Sequence, residues 1–337
     1  MIPTIRVVQF GCGPIGCRIA RLAASRAHLQ LVAGIDIDPA LHGRDLGEVS
    51  GGAPLGAAIV GSWDRLPDDA APTLAIHTTG SNLQAVAPQL RALLGEGADV
   101  VSTCEELAFP DDANAAVAAE LHEQAVRAGA TLLGTGINPG YLMDAWPLYM
   151  TVPCQEVRAI RATRIQDASD RRGPFQRKIG AGLAESEFRR RADGGEIRHV
   201  GLTESARMIA AGMGWALDAF TETIEPIMAP RALQTEHVSV AAGQVAGVRQ
   251  EGVGLAGGRR VVTLEFRAAV GLGESYDAVS IDGVPPVEAR IAGGVHGDLG
   301  TAAVVVNAIP RVAAAAPGLV TMKDLPPPLA AGARPPA

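Results

Sequence analysis

Hydrophobic positions in the first part of the chain alternate between two registers, short apolar runs and longer stretches with helical spacing. Residues 5–10 form a β-branched apolar run, residues 14–25 repeat apolar positions on one helical face, and residues 29–35 form a second run. The alternation continues with strands predicted at 57–60, 74–79, 99–103 and 131–134, and helices at 83–94 and 112–128. Strands separated by helices predict an open parallel sheet covered on both faces. Beyond about residue 153 the period changes. Runs at 156–165, 218–228, 236–240, 244–253, 259–268 and 276–280 read as strands joined by glycine turns, with the clearest hairpin at Gly257-Gly258 and helices at 184–192 and 203–213. A glycine-rich turn at 293–300 then leads into an alanine-rich helix at 300–315, expected to pack back on the first domain. The tail from Pro326 onward is expected to be extended or disordered.

The first apolar run ends on Gly11-Cys12-Gly13-Pro14-Ile15-Gly16, a G-x-G-x-x-G that opens the first helix. Gly11 allows the tight turn, Gly13 leaves room for a pyrophosphate, and Gly16 allows close packing of helix on strand. Asp36 closes the second strand at the spacing expected of a ribose-binding carboxylate. Strand, turn, helix, strand and acid together predict a dinucleotide site and a Rossmann doubly wound sheet. Asp36 disfavours a 2′-phosphate, so NAD is the expected cofactor. Arg44 softens that preference and keeps NADP as second choice. Thr78 and Thr79 end the strand predicted at 74–79 and Gly80 follows it, while Asn138 follows the strand at 131–134; in such sheets the carboxyl ends of strands line the crevice. Cys104-Glu105-Glu106 ends another strand. A partly desolvated glutamate there suits general acid/base work, and two carboxylates opening a helix suit its dipole equally well.

The fold class is therefore α/β, a Rossmann doubly wound parallel sheet plus an inserted α+β domain with a mostly antiparallel sheet. The boundaries are 1–145 for the dinucleotide domain, 146–292 for a substrate and dimerisation domain, and 293–337 for the returning helix and tail. Composition narrows the partners. The 337 residues include 19% charged and 47% hydrophobic side chains, as in a globular chain. A formal charge of −7 gives no footprint for nucleic acid, and Arg189-Arg190-Arg191 reads as a solvated helix face. Met1 runs directly into the first strand and no apolar run reaches membrane-spanning length, so a cytoplasmic protein with no membrane partner is expected. Cys12, Cys17, Cys104 and Cys154 lack metal or redox spacing and are read as reduced thiols, with no metal.

Five further blocks carry a resemblance. They are Gly43-Arg44-Asp45-Leu46-Gly47-Glu48-Val49, Ser102-Thr103-Cys104-Glu105-Glu106-Leu107-Ala108-Phe109-Pro110, Gly134-Thr135-Gly136-Ile137-Asn138-Pro139-Gly140, His199-Val200-Gly201 and residues 317–326. With them the chain resembles 2,4-diaminopentanoate dehydrogenase and the native amine dehydrogenases, within the dihydrodipicolinate-reductase-like superfamily. The resemblance implies reversible oxidative deamination of a small amine or diamine, or amination of a ketone or aldehyde with ammonia, in a homodimer using NAD(P). It also implies that Glu105 or Glu106 holds the amine. Tyr141, which follows the last Rossmann strand, and Trp146, Phe175 and His199, sparse aromatics in this chain, are the substrate-pocket candidates. Two alternatives stand beside this reading. A dihydrodipicolinate-reductase-like carbonyl or imine reductase would need a His-His pair and a lysine, whereas His199 is isolated and Lys178 lies in another context. A non-catalytic NADH-sensing protein would have no need of the glutamate pair.

Overall fold

The computed structural model describes residues 4–332, and the chain divides into two compact units. One unit runs to Tyr141 and resumes at His296; the other is Leu142–Val295. The junctions thus fall at 141/142 and 295/296, against 145/146 and 292/293 read from composition.

The first unit begins with β1 (Ile5–Phe10), α1 (Pro14–Ala24), β2 (Leu29–Ile35), α2 (Leu46–Val49) and β3 (Ile59–Val60). It continues with β4 (Leu74–His77), α3 (Leu83–Gly95), β5 (Asp99–Ser102), α4 (Ala115–Ala128) and β6 (Thr131–Gly134). The second unit contains α5 (Ala145–Met150), β7 (Glu156–Asp167), α6 (Gly173–Lys178), α7 (Glu185–Asp193), α8 (Leu202–Met213) and β8 (Ala219–Met228). After β9 (Leu233–Gln234) and β10 (Ser239–Val240) come β11 (Val245–Ala256), β12 (Arg259–Ala269), β13 (Tyr276–Val284) and β14 (Val287–Ala292). The chain then re-enters the first unit as α9 (Gly297–Val312) and β15 (Gly318–Val320).

The sheet of the first unit has the order β15-β6-β5-β4-β1-β2-β3, with every pairing parallel. Register places Val8, Ala75, Val100 and Leu132 side by side, and they share a buried cluster with Leu83, Val86, Leu90 and Leu94 of α3 and Leu121 of α4. Side chains alternate across a strand, so their neighbours Ile76, Val101 and Leu133 point to the other face. These are buried as well, and α1 packs against α9. Continuous apolar strands are what a sheet covered on both faces requires.

The second unit has a six-stranded sheet, β14-β13-β7-β12-β11-β8, antiparallel except for the β7–β12 pair. The Gly257-Gly258 turn joins β11 to β12 as predicted, and both glycines have positive φ. Helix α8 packs on β11 and β12, and α5 packs on α8. Differences from the periodicity are local. The predicted strand at 236–240 shrinks to β10 because Thr235 Oγ1 accepts from His237 and Val238 N–H at 3.1 and 3.0 Å, closing a tight turn. Helix α4 starts at Ala115 rather than 112, because Asp111 accepts the Asn114 N–H at 3.1 Å and holds a turn there. Residues 326–330 carry no helix or strand, and the end of the tail, 333–337, lies outside the described residues.

Candidate active site

Three glycines make the turn from β1 into α1, each for a different reason. Gly11 has φ +92° in the left-handed region, and its N–H donates to the Ile35 carbonyl at 2.8 Å. At Gly16 an added Cβ would collide with the Gly11 carbonyl oxygen and lie 2.8 Å from Thr78 Oγ1 and 2.9 Å from Gln9 Nε2. Only glycine lets α1 start this close to β1 and β4. Gly13 is the opposite case, with nothing within 4 Å of an added Cβ. Pro14 occupies the first helical turn, where its missing N–H costs nothing. The first-turn amides, those of Ile15 and Gly16 among them, have no partner within the helix. With space open above Gly13, the turn fits a pyrophosphate.

Asp36 stands at the carboxyl end of β2. Its Oδ2 accepts the Cys12 N–H at 2.6 Å and its Oδ1 accepts the Asp38 N–H at 2.9 Å, so it ties the glycine turn to the strand. A cavity of about 740 Å³ opens here, lined by Gly11, Gly13, Asp36, Trp63, Thr78 and Thr79 among others. It lies where strand order turns from β1 to β4, the place where open α/β sheets bind ligands. The charged side chains of its lining are Asp36, Asp64 and Glu96, all acidic. Arg44 is exposed and outside that lining; its backbone is held by the Ile59 N–H, which donates to the Arg44 carbonyl at 2.9 Å. Gly80 and Asn138 are also outside the lining. Gly80 follows Thr79 on the way to α3, and Asn138 sits in the turn after β6, joined to Pro139 by a cis peptide.

The two adjacent glutamates differ sharply in surroundings. Both lie in a single helical turn, Glu105–Leu107, that follows β5. This turn crosses β6 closely: an added Cβ on Gly134 would strike the Leu107 carbonyl carbon and lie 2.6 Å from its oxygen. Glu106 is fully engaged at the start of α3. Its carboxylate accepts the Leu83 N–H at 2.8 Å, the Asn82 amide at 3.2 Å and the Asn114 amide at 3.4 Å. It supplements Asn82, whose own side chain caps α3 by accepting the Ala85 N–H at 2.9 Å. Glu105 is half-buried, and its carboxylate has no hydrogen-bond or ion-pair partner among the described residues.

In the second unit, Phe175 and His199 are brought together. They line a cavity of about 40 Å³ with Lys178, Ile179, Arg198, Val248 and Phe266. The His199 ring stacks on Phe266 with centroids 4.7 Å apart, and its backbone is clasped by Gln250, which accepts its N–H at 2.8 Å and donates to its carbonyl at 2.9 Å. Burial first, then the charges of Lys178, Arg164 and Arg198, push the His199 pKa down to about 3, so the ring is neutral. Trp146 on α5 is buried and outside this cavity, and Tyr141 is the half-buried last residue before the first junction.

Residues 141–334 match the family model described as the 2,4-diaminopentanoate dehydrogenase C-terminal domain. Over 97% of its length the chain is 30% identical to 2,4-diaminopentanoate dehydrogenase of Acetoanaerobium sticklandii, covering 94% of that protein. The chain belongs to the 2,4-diaminopentanoate dehydrogenase family. The solved amine dehydrogenase from Mycobacterium smegmatis is 25% identical and superposes with a TM-score of 0.84, over 97% of this chain and 98% of that one. A probable dehydrogenase from Thermotoga maritima, 14% identical with a TM-score of 0.58 over 95% of this chain and 92% of that one, shares the fold.

In this member of the 2,4-diaminopentanoate dehydrogenase family, two polar residues that build the crevice escape sequence reasoning. Gln9 is fully buried in β1, donating to the Gly11 carbonyl at 2.9 Å and to Thr78 Oγ1 at 3.0 Å. Thr78 in turn donates to the Gly11 carbonyl at 2.8 Å, so its hydroxyl holds the glycine turn. His77, also fully buried, has Nδ1 2.9 Å from Ser102 Oγ and Nε2 2.8 Å from Gln89 Oε1 and 2.9 Å from Thr79 Oγ1. Burial pushes its pKa down to about 4. The sequence signal was present in both cases, a polar side chain inside an otherwise apolar strand of a fully covered sheet.

Proposed function

We propose that this chain is an NAD-preferring amine dehydrogenase that interconverts a small amine or diamine with the corresponding ketone or aldehyde and ammonia. The observation that carries the reading is the half-buried, unpartnered Glu105 carboxylate in a chain 30% identical to 2,4-diaminopentanoate dehydrogenase. The fit of the first unit to a dinucleotide rests on the open face of Gly13 and the tight seat of Gly16. Gly11, Gly13, Pro14, Ile15 and Gly16 hold the pyrophosphate, Asp36 holds the adenosine ribose, and Thr79 borders the crevice beyond. When bound, the nicotinamide takes up or gives the hydride at the carbon bearing nitrogen. The acidic lining of Asp36, Asp64 and Glu96 supports NAD over NADP, since a 2′-phosphate would face carboxylates with no cation in the lining.

Glu105 is assigned the catalytic role. As a carboxylate it pairs with the ammonium form of the substrate and orients it. It then removes a proton from the amine so that the nitrogen lone pair can assist hydride departure, and relays protons between water and nitrogen as the carbon–nitrogen bond is hydrolysed. Glu106 is a positioning residue that anchors the same turn to α3. Phe175, His199, Trp146 and Tyr141 stay the candidates for substrate contact offered by the sparse aromatics of the chain. Two further assignments belong to this reading. A homodimer is supported by the six-stranded, mostly antiparallel sheet of the second unit, together with the family resemblance. A cytoplasmic location is supported by the four unpaired cysteines.

The test is NADH oxidation with a panel of small ketones and aldehydes, with and without ammonia. Oxidation that requires ammonia is the expected result. Oxidation unaffected by ammonia would make the chain a carbonyl reductase.

A further inference from the structure

The first unit holds a second cavity, of about 540 Å³, that shares no lining residue with the dinucleotide crevice. Arg21 from the last turn of α1, with Ser25 and Arg26 from its exit, forms one wall; Ser50, Ala53 and Leu55 form the other. None of its lining residues is acidic. Arg26 is only 9% exposed, and its Nε is buried without a hydrogen-bond partner. A guanidinium in that position is costly unless an acceptor reaches it. His28 lies beside it, and burial first, then the Arg26 charge, lower the His28 pKa. Arg21 is exposed at the mouth, and an added Cβ on Gly51 would lie 4.0 Å from Arg21 Nη1, so its guanidinium reaches the opposite loop. Among the described residues neither arginine has an ion-pair partner.

We propose that this cavity is a binding site for a phosphate group. Two guanidinium groups without counter-ions match a dianion better than a single carboxylate, and the planar fork of arginine suits phosphate oxygens. Ala53 and Leu55 give one side of the cavity an apolar wall on which the carbon skeleton of a phosphate ester can rest.

Calorimetric titration of the full chain at constant ionic strength, with NADH saturating the glycine turn, tests the site. The titrants are inorganic phosphate, phenyl phosphate and acetate. Phosphate should bind once per chain and at least tenfold more tightly than acetate, and Arg26→Gln and Arg21→Gln should each weaken it at least tenfold with NADH affinity unchanged. If Arg26→Gln does not fold, the exposed Arg21→Gln decides alone. Phenyl phosphate binding more tightly than inorganic phosphate assigns the site to a phosphorylated metabolite; equal binding assigns it to the free ion. No heat beyond a chloride control, acetate equal to phosphate, or unchanged binding in the variants would overturn the proposal.

Discussion

Replacing each glutamate of the Glu105-Glu106 pair by glutamine separates chemistry from architecture. Glu106→Gln keeps one carbonyl oxygen, so at most part of the cluster around Leu83 N–H, Asn82 and Asn114 survives, and the new amide faces donors. Hydrogen bonds to a charged group contribute roughly 1.5–3 kcal/mol each, and the carboxylate at the start of α3 adds about 0.3–1 kcal/mol through the helix dipole. A net loss of about 2 kcal/mol is expected. For a unit of this size that is roughly 4–8 °C in the midpoint of thermal unfolding. Glu105→Gln removes no hydrogen bond present in the fold, so its stability should stay within about 0.5 kcal/mol. Its kcat/KM should fall by about 10²–10⁴, the usual weight of a general acid/base, with NADH affinity near normal. Calorimetry and steady-state kinetics on the two purified variants read both quantities. A stable but inactive Glu106→Gln beside an active Glu105→Gln would refute the division of roles.

Three further predictions use the same unit. Gly13→Ala should unfold like the parent yet bind NADH at least tenfold more weakly, whereas Gly16→Ala, which meets the Gly11 carbonyl, should lose several degrees in thermal midpoint; equal stability of the two would contradict the packing argument. Asp36→Ala should shift the NADPH/NADH ratio of kcat/KM at least tenfold toward NADPH while loosening the glycine turn, since the Cys12 and Asp38 N–H groups lose their acceptor; an unchanged ratio would remove Asp36 from cofactor choice. His77, with a pKa near 4 in the fold against an ordinary 6.5, binds its proton more readily unfolded, so stability should rise with pH through that window and fall by roughly 3 kcal/mol on acidification across it. Histidine NMR showing this ring titrating near 6.5 would contradict that sign.

The fold of the first 36 residues was legible because its signals are local. An apolar run, glycine spacing, helical periodicity and a closing acid each act within a few residues of the backbone they shape. Strand β15 was not legible, since three residues become a strand only by pairing with Leu132 and its neighbours in β6. The end of the strand predicted at 74–79 was blurred for a related reason. Thr78 and Thr79 leave the ladder because their hydroxyls are spent on the Gly11 carbonyl and on His77. At the candidate site, sequence position brings Glu105 and Glu106 equally close to the sheet edge, and only Asn82 and Asn114, distant in the chain, distinguish them. Arg44 shows the converse limit. It is near Asp36 along the chain, but the ladder to Ile59 fixes its backbone and leaves its side chain outside the crevice lining.

The central claim, hydride transfer to a carbon that carries nitrogen, is tested most directly by isotope placement. Reductive amination would be run with ¹⁵N-ammonia and NADH deuterated at the transferable position, and the product analysed by mass spectrometry and NMR. Deuterium and ¹⁵N on the same carbon is the predicted result. A deuterated alcohol free of ¹⁵N would contradict it.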